Sequence, residues 1–253
     1  MLASLPVDAV YVLSVRHFQD RITHIRRELG RYDISFDFIF DFDAAELADS
    51  PSLAQFGDAS LPLPHKSLAL KHIQAWRLAC ERGHRRILVF EDDVILRNNF
   101  VDLLQRGLAA ANTLAPGWLL YLGGADAKVP DAFFLARAPL ISLPITTAEG
   151  YVTDLAACQK RIAWCGANRI TLPADHLLRS IDAELGIRQY WLPEALVEQG
   201  SVTGMFTSVL DAHRLKHGRL FNIARNRWHK FRRRTIRRIW VLAKHALFPT
   251  KVH

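Results

Sequence analysis

The sequence has few cysteines and no long apolar run. Three cysteines (Cys80, Cys158 and Cys165) are scattered through 253 residues, too few for a disulfide framework, and they form no C-x-x-C metal or redox pair. No stretch approaches the ~18 consecutive apolar residues of a membrane-spanning helix. The first fifteen residues lack the basic start of a signal peptide, and Asp8 interrupts their apolar run. These absences favour a protein that is made and kept in the cytosol.

Acidic residues are missing from the end of the chain. Of the 33 basic residues, 13 lie from Arg214 onward, where there is no Asp or Glu, and the other 20 are set against 25 acidic residues. The net charge of +8 is therefore an average over a mildly acidic body and a strongly basic tail. We divide the chain into one domain, residues 1–213, and a tail, residues 214–253. Such an asymmetry predicts an anionic partner for the tail.

Strand and helix patterns alternate along the body, and residues 125–150 give no clear pattern. The alternation predicts an α/β sheet domain. Apolar periodicity and turn residues predict strands at 9–15, 34–42, 86–96 and 118–124, helices at 17–29, 67–83, 99–111, 153–165 and 174–185, a loop at 48–66, and a strand with a loop at 188–199.

The acidic triplet Glu91-Asp92-Asp93 directly follows the apolar strand ILVF. Open α/β sheets bind ligands at the carboxyl ends of their strands. Adjacent carboxylates need a cation to neutralise them, and hard divalent ions take oxygen ligands and bridge them to phosphates. Because side chains alternate along an extended segment, Glu91 and Asp93 are expected to face one metal–diphosphate while Asp92 points elsewhere.

Three other interpretations of the triplet are open. The acids can simply begin a turn or cap a helix at the surface. A P-loop NTPase also carries acids after an apolar strand, but the G-x-x-x-x-G-K-[ST] loop that it requires is absent. A phosphatase would place a nucleophilic aspartate there, whereas the first acid in this chain is Glu91.

Several ordered segments resemble glycosyltransferase family 25, the bacterial lipopolysaccharide-modifying transferases related to animal collagen galactosyltransferases. The resemblance spans about residues 9–210. Lys71 departs from it, because the family usually has a serine there, and Asp41 and Ala44 replace the alanine and glycine around Asp43. The matching segments are YVLSVRHFQDR with Ser14 and Arg21, FDFIFDFDAAEL with Asp43, LKHIQAW with His72 and Trp76, FEDDV, EGYVTDLAACQKRI, LPADHLL with Asp175, and LPEALVEQGSVTGMFTS with Gln199.

The resemblance implies a GT-A-like (Rossmann-like) single domain with a mostly parallel central sheet, followed by a basic C-terminal helix. It also implies an inverting transfer from a UDP-sugar, often UDP-galactose, to a lipopolysaccharide or other glycan acceptor. Glu91 and Asp93 would hold Mn²⁺ or Mg²⁺. The donor would be contacted by Ser14, Arg21, Asp43, His72, Asp92 and Gln199.

An inverting displacement needs a base to take the proton of the acceptor hydroxyl. Asp175 is our choice, with Asp154 and Glu149 as alternatives, although Asp175 can also be read as a helix N-cap. His72 can equally be a core histidine satisfied by a backbone group. Arg21 can be a solvated helix residue, and packing explains Trp76 better than chemistry.

The tail reads as one amphipathic helix from about Leu220. A basic amphipathic helix of this kind lies in an anionic membrane interface, which would suit a membrane-borne glycolipid acceptor at the cytosolic face of the inner membrane. Nucleic acid is the less favoured partner, and packing of the apolar stripe on the body is a third possibility. The stripe is formed by Leu220, Ala224, Trp228, Phe231, Ile239, Leu242 and Ala246.

Two other functions stay open beside the glycosyltransferase. The acidic triplet would also serve a metal-dependent phosphotransferase or hydrolase. Alternatively, the chain would be a non-catalytic module that binds a membrane or a nucleic acid through its tail.

Overall fold

A computed structural model describes residues 5–124, 129–143, 146–203, 205–206, 224, 228–229 and 231–247. The strands are β1 Ala9–Leu13, β2 Asp37–Ile39, β3 Arg86–Glu91, β4 Val94–Leu96, β5 Trp118–Tyr121, β6 Ile141–Ser142, β7 Gly150–Asp154, β8 Arg188–Trp191 and β9 Val197–Gln199. The helices are α1 Gln19–Gly30, α2 Leu63–Arg82, α3 Phe100–Ala111, α4 Ala132–Leu135, α5 Leu155–Ala167, α6 Ala174–Glu184, α7 Gly200–Thr203 and α8 Arg237–Leu247.

Seven strands form one mixed sheet in the order β2-β1-β3-β7-β5-β8-β6, and β4 pairs with β9 separately. The α/β class is confirmed, and the sheet is mixed but mostly parallel in strand direction: β1, β2, β3, β5 and β8 run one way, and only β6 and β7 run the other. β1 runs parallel to β2 and β3, and β5 runs parallel to β8, whereas β7 is antiparallel to both of its neighbours and β6 is antiparallel to β8. No local pattern predicts a strand at residues 150–152, yet β7 begins at Gly150 and separates the two groups of parallel strands.

Helices cover both faces of the sheet. Alternation along β1 sends Tyr11 and Leu13 into the core beneath α2, α5 and α6, and sends Val10 and Val12 into the core beneath α1 and α3. Fully buried strands of this kind read as continuous apolar runs, which is why ILVF in β3 was recognisable. The edge of the sheet at which β1 and β3 end is therefore held between two apolar layers.

Two elements near the site differ from their predicted bounds. The predicted loop 48–66 contains a 3₁₀ helix, Pro51–Gln55, and the first turn of α2, which begins at Leu63 rather than at residue 67. Prolines read as loop signals are tolerated in a first helical turn, because the N–H that they lack has no intrahelical partner there. Of the predicted strand 34–42, only β2 pairs in the sheet, and Phe42 has a positive φ of 64°.

The described part of the tail is not a uniform α-helix. A π-helical segment, Phe231–Ile236, leads into α8. Leu220 and the proposed boundary at residues 213–214 lie outside the described residues. Within the described ranges, no helix has both the length and the apolar content needed to cross a bilayer.

A candidate active site in an acidic cleft

The candidate site lies where β1 and β3 end side by side. Leu13 pairs with Glu91 in parallel register, so Ser14 and Asp92 emerge next to each other at the carboxyl edge of the sheet. A cleft of about 220 Å³ opens there between α1, the start of α2 and the segment after β9. Its walls include Ser14, Phe18, Arg21, Ala44, Ala45, Pro64, Leu68, Lys71, Glu91, Asp92, Asp93, Gln199 and Ser201.

Asp92 lines the cleft together with the other two acids of the triplet but has hydrogen-bonding partners of its own. Its carboxylate accepts a hydrogen bond of 2.7 Å from Ser14 Oγ and forms an ion pair of 2.9 Å with Arg21 Nη1. Burial raises the pKa of Asp92, and the Arg21 guanidinium and the Ser14 hydroxyl oppose that rise. Arg21 is also held over the rings of Phe18 and Phe206, at 5.2 and 5.5 Å. Asp92 therefore fixes Arg21 in the cleft wall.

Glu91 and Asp93 are the other two acids of the triplet, and both contact residues at the end of β9 or just after it. Glu91 Oε2 accepts a hydrogen bond of 3.2 Å from Gln199 Nε2, and Asp93 Oδ2 accepts one of 2.9 Å from the Ser201 N–H. Asp93 Oδ1 is buried and has no hydrogen-bond partner among the described residues. An unsatisfied buried carboxylate oxygen is costly unless a cation or donor meets it.

A bound cation would also relieve the electrostatic repulsion between the buried carboxylates of Glu91 and Asp93. Burial raises the pKa of Glu91 well above its ordinary value, and the negative charges of Asp93 and Glu149 add to the rise. Among the residues that the structure describes, no three His, Cys, Asp or Glu side chains converge on one metal position. The protein thus offers two carboxylates rather than a complete metal cage, and hard divalent ions often accept one or two carboxylates when phosphate oxygens complete the shell.

Asp43, a predicted donor contact, is not among the residues that line the cleft. Its two oxygens accept hydrogen bonds from the Arg16 N–H, at 3.0 Å, and from Lys71 Nζ, at 2.7 Å. Lys71 also donates to the Asp41 carbonyl oxygen at 2.6 Å. This buried ion pair holds the loop after β2, which supplies Ala44 to the cleft wall. The departure from the family serine at Lys71 was the sequence signal for it.

His72 lies in the core beneath the sheet and is absent from the cleft walls. Its Nδ1 is 2.9 Å from the Tyr151 hydroxyl, which also accepts a hydrogen bond of 3.0 Å from Trp76 Nε1. Burial, helped by the charge of Arg161, lowers the pKa of His72 to about 3. The arrangement favours the core-histidine interpretation over a donor contact, with a side chain rather than a backbone group as the partner.

The three candidate bases lie in different places. Asp175 is half-buried in the first turn of α6, accepts a hydrogen bond of 2.9 Å from the His176 N–H, and raises the pKa of Glu91 through its charge. The N-cap of α6 is Pro173, so Asp175 is not the capping residue. Asp154 caps α5. In the β3–β7 ladder it lies opposite Arg86 at the start of β3, which is the edge of the sheet opposite the cleft.

Glu149, one of the alternative bases, lies near the site, although no local sequence pattern singles it out. Its backbone carbonyl accepts a hydrogen bond of 3.0 Å from the Glu91 N–H, and its Oε1 accepts one of 2.5 Å from the Gly124 N–H. A Cβ on Gly123 would lie 2.0 Å from that carboxylate. The glycine turn predicted after β5 therefore leaves room for Glu149 beside the triplet. Ser201 likewise became apparent only from its backbone contact with Asp93.

Comparison with known proteins identifies the same segment. Residues 7–128 match the family model described as "Glycosyltransferase family 25 (LPS biosynthesis protein)". A curated protein of Haemophilus influenzae (strain ATCC 51907 / DSM 11121 / KW20 / Rd), named "Putative glycosyltransferase", is 34% identical over 101 residues. That alignment covers 38% of this chain and 36% of the relative, so the chain spans little more than a third of the relative's length. These matches confirm the resemblance to glycosyltransferase family 25 over residues 7–128, the segment that carries the acidic triplet.

Proposed function

We propose that this chain is an inverting, metal-dependent glycosyltransferase with a GT-A-like fold. It would move a sugar, galactose by expectation, from a UDP-sugar to a lipopolysaccharide or other glycan acceptor. The observation that carries the proposal is the pair Glu91 and Asp93, with one unpartnered buried oxygen on Asp93, at a cleft inside the family-matched segment.

Glu91 and Asp93 would hold the divalent ion, Mn²⁺ or Mg²⁺. Two neighbouring carboxylates create a negative potential that fits a cation whose remaining ligands are phosphate oxygens and water. When bound, the ion would offset the charge that develops on the departing diphosphate. Gln199 would keep the Glu91 carboxylate turned toward the cleft through its 3.2 Å hydrogen bond.

Arg21 and Ser14 would bind the donor from the opposite wall. The guanidinium is positioned by Asp92 and by the ring of Phe18, so little of its freedom remains to be lost when it meets a phosphate. The cleft of about 220 Å³ is smaller than the ~300–1,000 Å³ of pockets that enclose whole ligands. A nucleotide sugar would therefore extend from the cleft toward Asp175 and Glu149.

Asp175 would take the proton from the attacking hydroxyl of the acceptor. It is only half-buried, and its charge is felt at Glu91, so it borders the region that the sugar would occupy. Glu149 is more deeply buried, and its carboxylate already accepts the hydrogen bond from Gly124. An acceptor approaching from solvent would reach Asp175 first.

The test is a titration of the purified chain with a panel of nucleotide sugars, with Mn²⁺ and then with EDTA, following the thermal midpoint and UDP release. We expect a metal-dependent response to one UDP-sugar. The response should be lost in Asp93→Asn and kept in Asp102→Asn, a matched change at an exposed acid of α3. A response that survives EDTA or Asp93→Asn would refute the metal assignment.

No response to any nucleotide sugar would refute the donor site altogether. Release of inorganic phosphate without sugar transfer would instead point to the phosphotransferase or hydrolase that uses the same triplet.

The tail would hold the enzyme at an anionic membrane, on the cytosolic face of the inner membrane by expectation. Of the nine large apolar residues that are exposed within the described ranges, seven lie between Trp228 and Leu247. They stand among arginines on a chain segment without acids. Exposed apolar residues beside basic ones are typical of interfacial helices, whereas nucleic-acid binding would not require the apolar face.

A further inference from the structure

A groove of about 720 Å³ lies between the tail and the body and is lined by different residues from the acidic cleft. Its volume falls within the ~300–1,000 Å³ typical of ligand-binding pockets. The lining is mainly apolar and aromatic: Phe133, Phe134, Ala136, Pro193, Ala195, Phe231, Ile239 and Leu242, with Thr235, Arg97, Arg234, Arg238, Glu194 and Glu198.

Arginines bond the tail to the body and Val241 of α8 is buried, whereas Phe231, Ile239 and Leu242 of the apolar stripe stay exposed. Arg234 Nη2 donates to the Gly124 carbonyl oxygen at 2.6 Å, and Arg237 Nη1 donates to the Val129 carbonyl oxygen at 2.6 Å. Arg237 also forms an ion pair of 2.5 Å with Asp131. This arrangement is the opposite of one in which the apolar stripe packs on the body and the arginines stay in water.

The apolar groove walls on the tail are consequently left open to solvent. Ile239 is 63% exposed and Phe231 is 49% exposed, although each borders the groove. Burying such side chains against hydrocarbon is favourable because it removes apolar surface from water. An aliphatic chain lying in the groove would cover these exposed apolar walls and remove them from water.

The charges at the groove favour an anionic group at the end of that chain. Three arginines line it against two glutamates, and Glu194 is already neutralised by Arg97 at 2.5 Å. Arg238 is exposed at the groove, and the tail from Arg214 onward contains no acid to compete for it. Guanidinium groups bind phosphate in a bidentate manner, so a phosphate-bearing headgroup is the best match.

The groove is connected to the catalytic edge through one short chain of contacts. Arg234 binds the carbonyl of Gly124, the N–H of Gly124 binds Glu149, and the carbonyl of Glu149 accepts from the N–H of Glu91. An amphiphile seated in the groove would thus end beside the edge of the sheet that carries the acidic triplet.

We propose that this groove binds one aliphatic chain of an anionic, phosphate-bearing amphiphile, and that this amphiphile is the lipid part of the acceptor. The assignment of the amphiphile as acceptor rests on the proposed transferase function. The binding site itself does not, because it is lined by different residues from the acidic cleft.

Calorimetric titration of the full chain with dodecyl phosphate below its micelle concentration tests the groove. We expect saturable binding of one molecule per chain, weaker binding of the uncharged dodecyl maltoside, and no heat with inorganic phosphate. Ile239→Asp should weaken dodecyl phosphate binding about tenfold or more. Leu247→Asp, a matched change at a tail residue that is 74% exposed and does not line the groove, should leave it unchanged.

Two charge variants complete the design. Arg238→Gln should reduce the preference for dodecyl phosphate over dodecyl maltoside, and Arg232→Gln, outside the groove lining, should not. Equal losses in Ile239→Asp and Leu247→Asp, or binding only to vesicles and never to single amphiphiles, would overturn the groove in favour of a simple bilayer-binding surface. Because this titration contains no nucleotide sugar, its failure and that of the donor titration are separate results.

Discussion

At the scale of single residues, three neighbouring acids have three different environments. Asp92 is neutralised by Arg21, Glu91 is held by the Gln199 amide, and Asp93 keeps one oxygen without a partner among the described residues. A run of three carboxylates would be costly if all three were left without a cation. The ion pair with Arg21 neutralises Asp92 and leaves two acids for a metal ion.

His72 should make the folded protein sensitive to acid. Burial and the charge of Arg161 lower its pKa to about 3 from the ordinary 6.5, so below pH 6.5 the unfolded chain binds a proton that the folded protein does not. The stability associated with neutral His72 is fully present above pH 6.5 and falls by at most about 1.4 kcal/mol per pH unit as the pH drops toward 3.

The check is urea unfolding at several pH values. The free energy of unfolding of His72→Phe should decline less between pH 6.5 and pH 4 than that of the unchanged chain, whatever its absolute stability. His176→Ala, at an exposed histidine, is the control. Equal slopes in the two variants would mean that His72 is protonated in the folded state.

Lys71 and Asp43 should behave as a buried pair. Their side chains are 2% and 5% exposed and their charged atoms lie 2.7 Å apart. Lys71→Met would leave the Asp43 carboxylate without its cation and should lower the free energy of unfolding by about 3–5 kcal/mol.

The double variant Lys71→Met/Asp43→Asn should recover part of this loss, because the uncompensated charge is gone and the asparagine oxygen can still accept from the Arg16 N–H. Chemical unfolding of the two single variants and the double variant provides the coupling energy. Additive losses would show that the pair is not coupled in the folded protein.

At the scale of elements, β7 determines the topology of the sheet. Its five residues run antiparallel between β3 and β5 and lead directly into α5. Local periodicity predicts Thr153 and Asp154 as the start of a helix, because the apolar spacing that follows them dominates the pattern. Pairing with two neighbouring strands, which no local periodicity reveals, stabilises the extended conformation instead.

The turn after β5 should depend on glycine at position 124. Gly124 has a φ of 75°, and a Cβ there would lie 2.1 Å from the ring of Trp191. Gly124→Ala should therefore lower the free energy of unfolding by about 2 kcal/mol or more, through backbone strain and overpacking.

Gly166 provides the matched control, since it lies in α5 and a Cβ would meet nothing within 4 Å. Gly166→Ala should raise the free energy of unfolding by about 0.5–1 kcal/mol, as expected for alanine in a helix. Thermal and urea unfolding of both variants measure the contrast. A neutral Gly124→Ala would contradict the close packing against Trp191.

At the scale of the whole molecule, charge and apolar exposure are both concentrated in the tail. The body carries a small excess of acids, and the 13 basic residues from Arg214 onward are not balanced by any acid in the same segment. Such a distribution attracts an anionic surface over a Debye length of about 10 Å at 0.1 M salt.

Binding of the full chain to anionic vesicles should consequently depend on salt. We expect tight binding at about 0.05 M salt, a loss of about tenfold or more at about 0.5 M, and weak binding to zwitterionic vesicles at either concentration. Vesicle co-sedimentation measures it. Salt-independent binding, or tighter binding to duplex DNA than to vesicles under the same conditions, would count against a membrane as the tail's partner.

Much of this molecule could be predicted from local pattern. The alternation of apolar strands and amphipathic helices determined the α/β class, and most helices lie within a few residues of their expected positions because 3.6-residue periodicity is a local property. The spacing Glu91-x-Asp93 after a buried strand, together with the charge gradient along the chain, also gave the acidic cleft and the basic tail.

Tertiary structure alone decided the contacts between distant segments. It assigned Gln199 to Glu91 across 108 positions, Lys71 to Asp43, and His72 to the core rather than the cleft. It also placed Arg234 and Arg237 against backbone carbonyls of the body while most of the tail's apolar stripe stays exposed. The physical reason is the same in each case: the favoured partner of a buried polar or charged group depends on which groups the packed layers bring within hydrogen-bonding distance, and sequence periodicity carries no record of that distance.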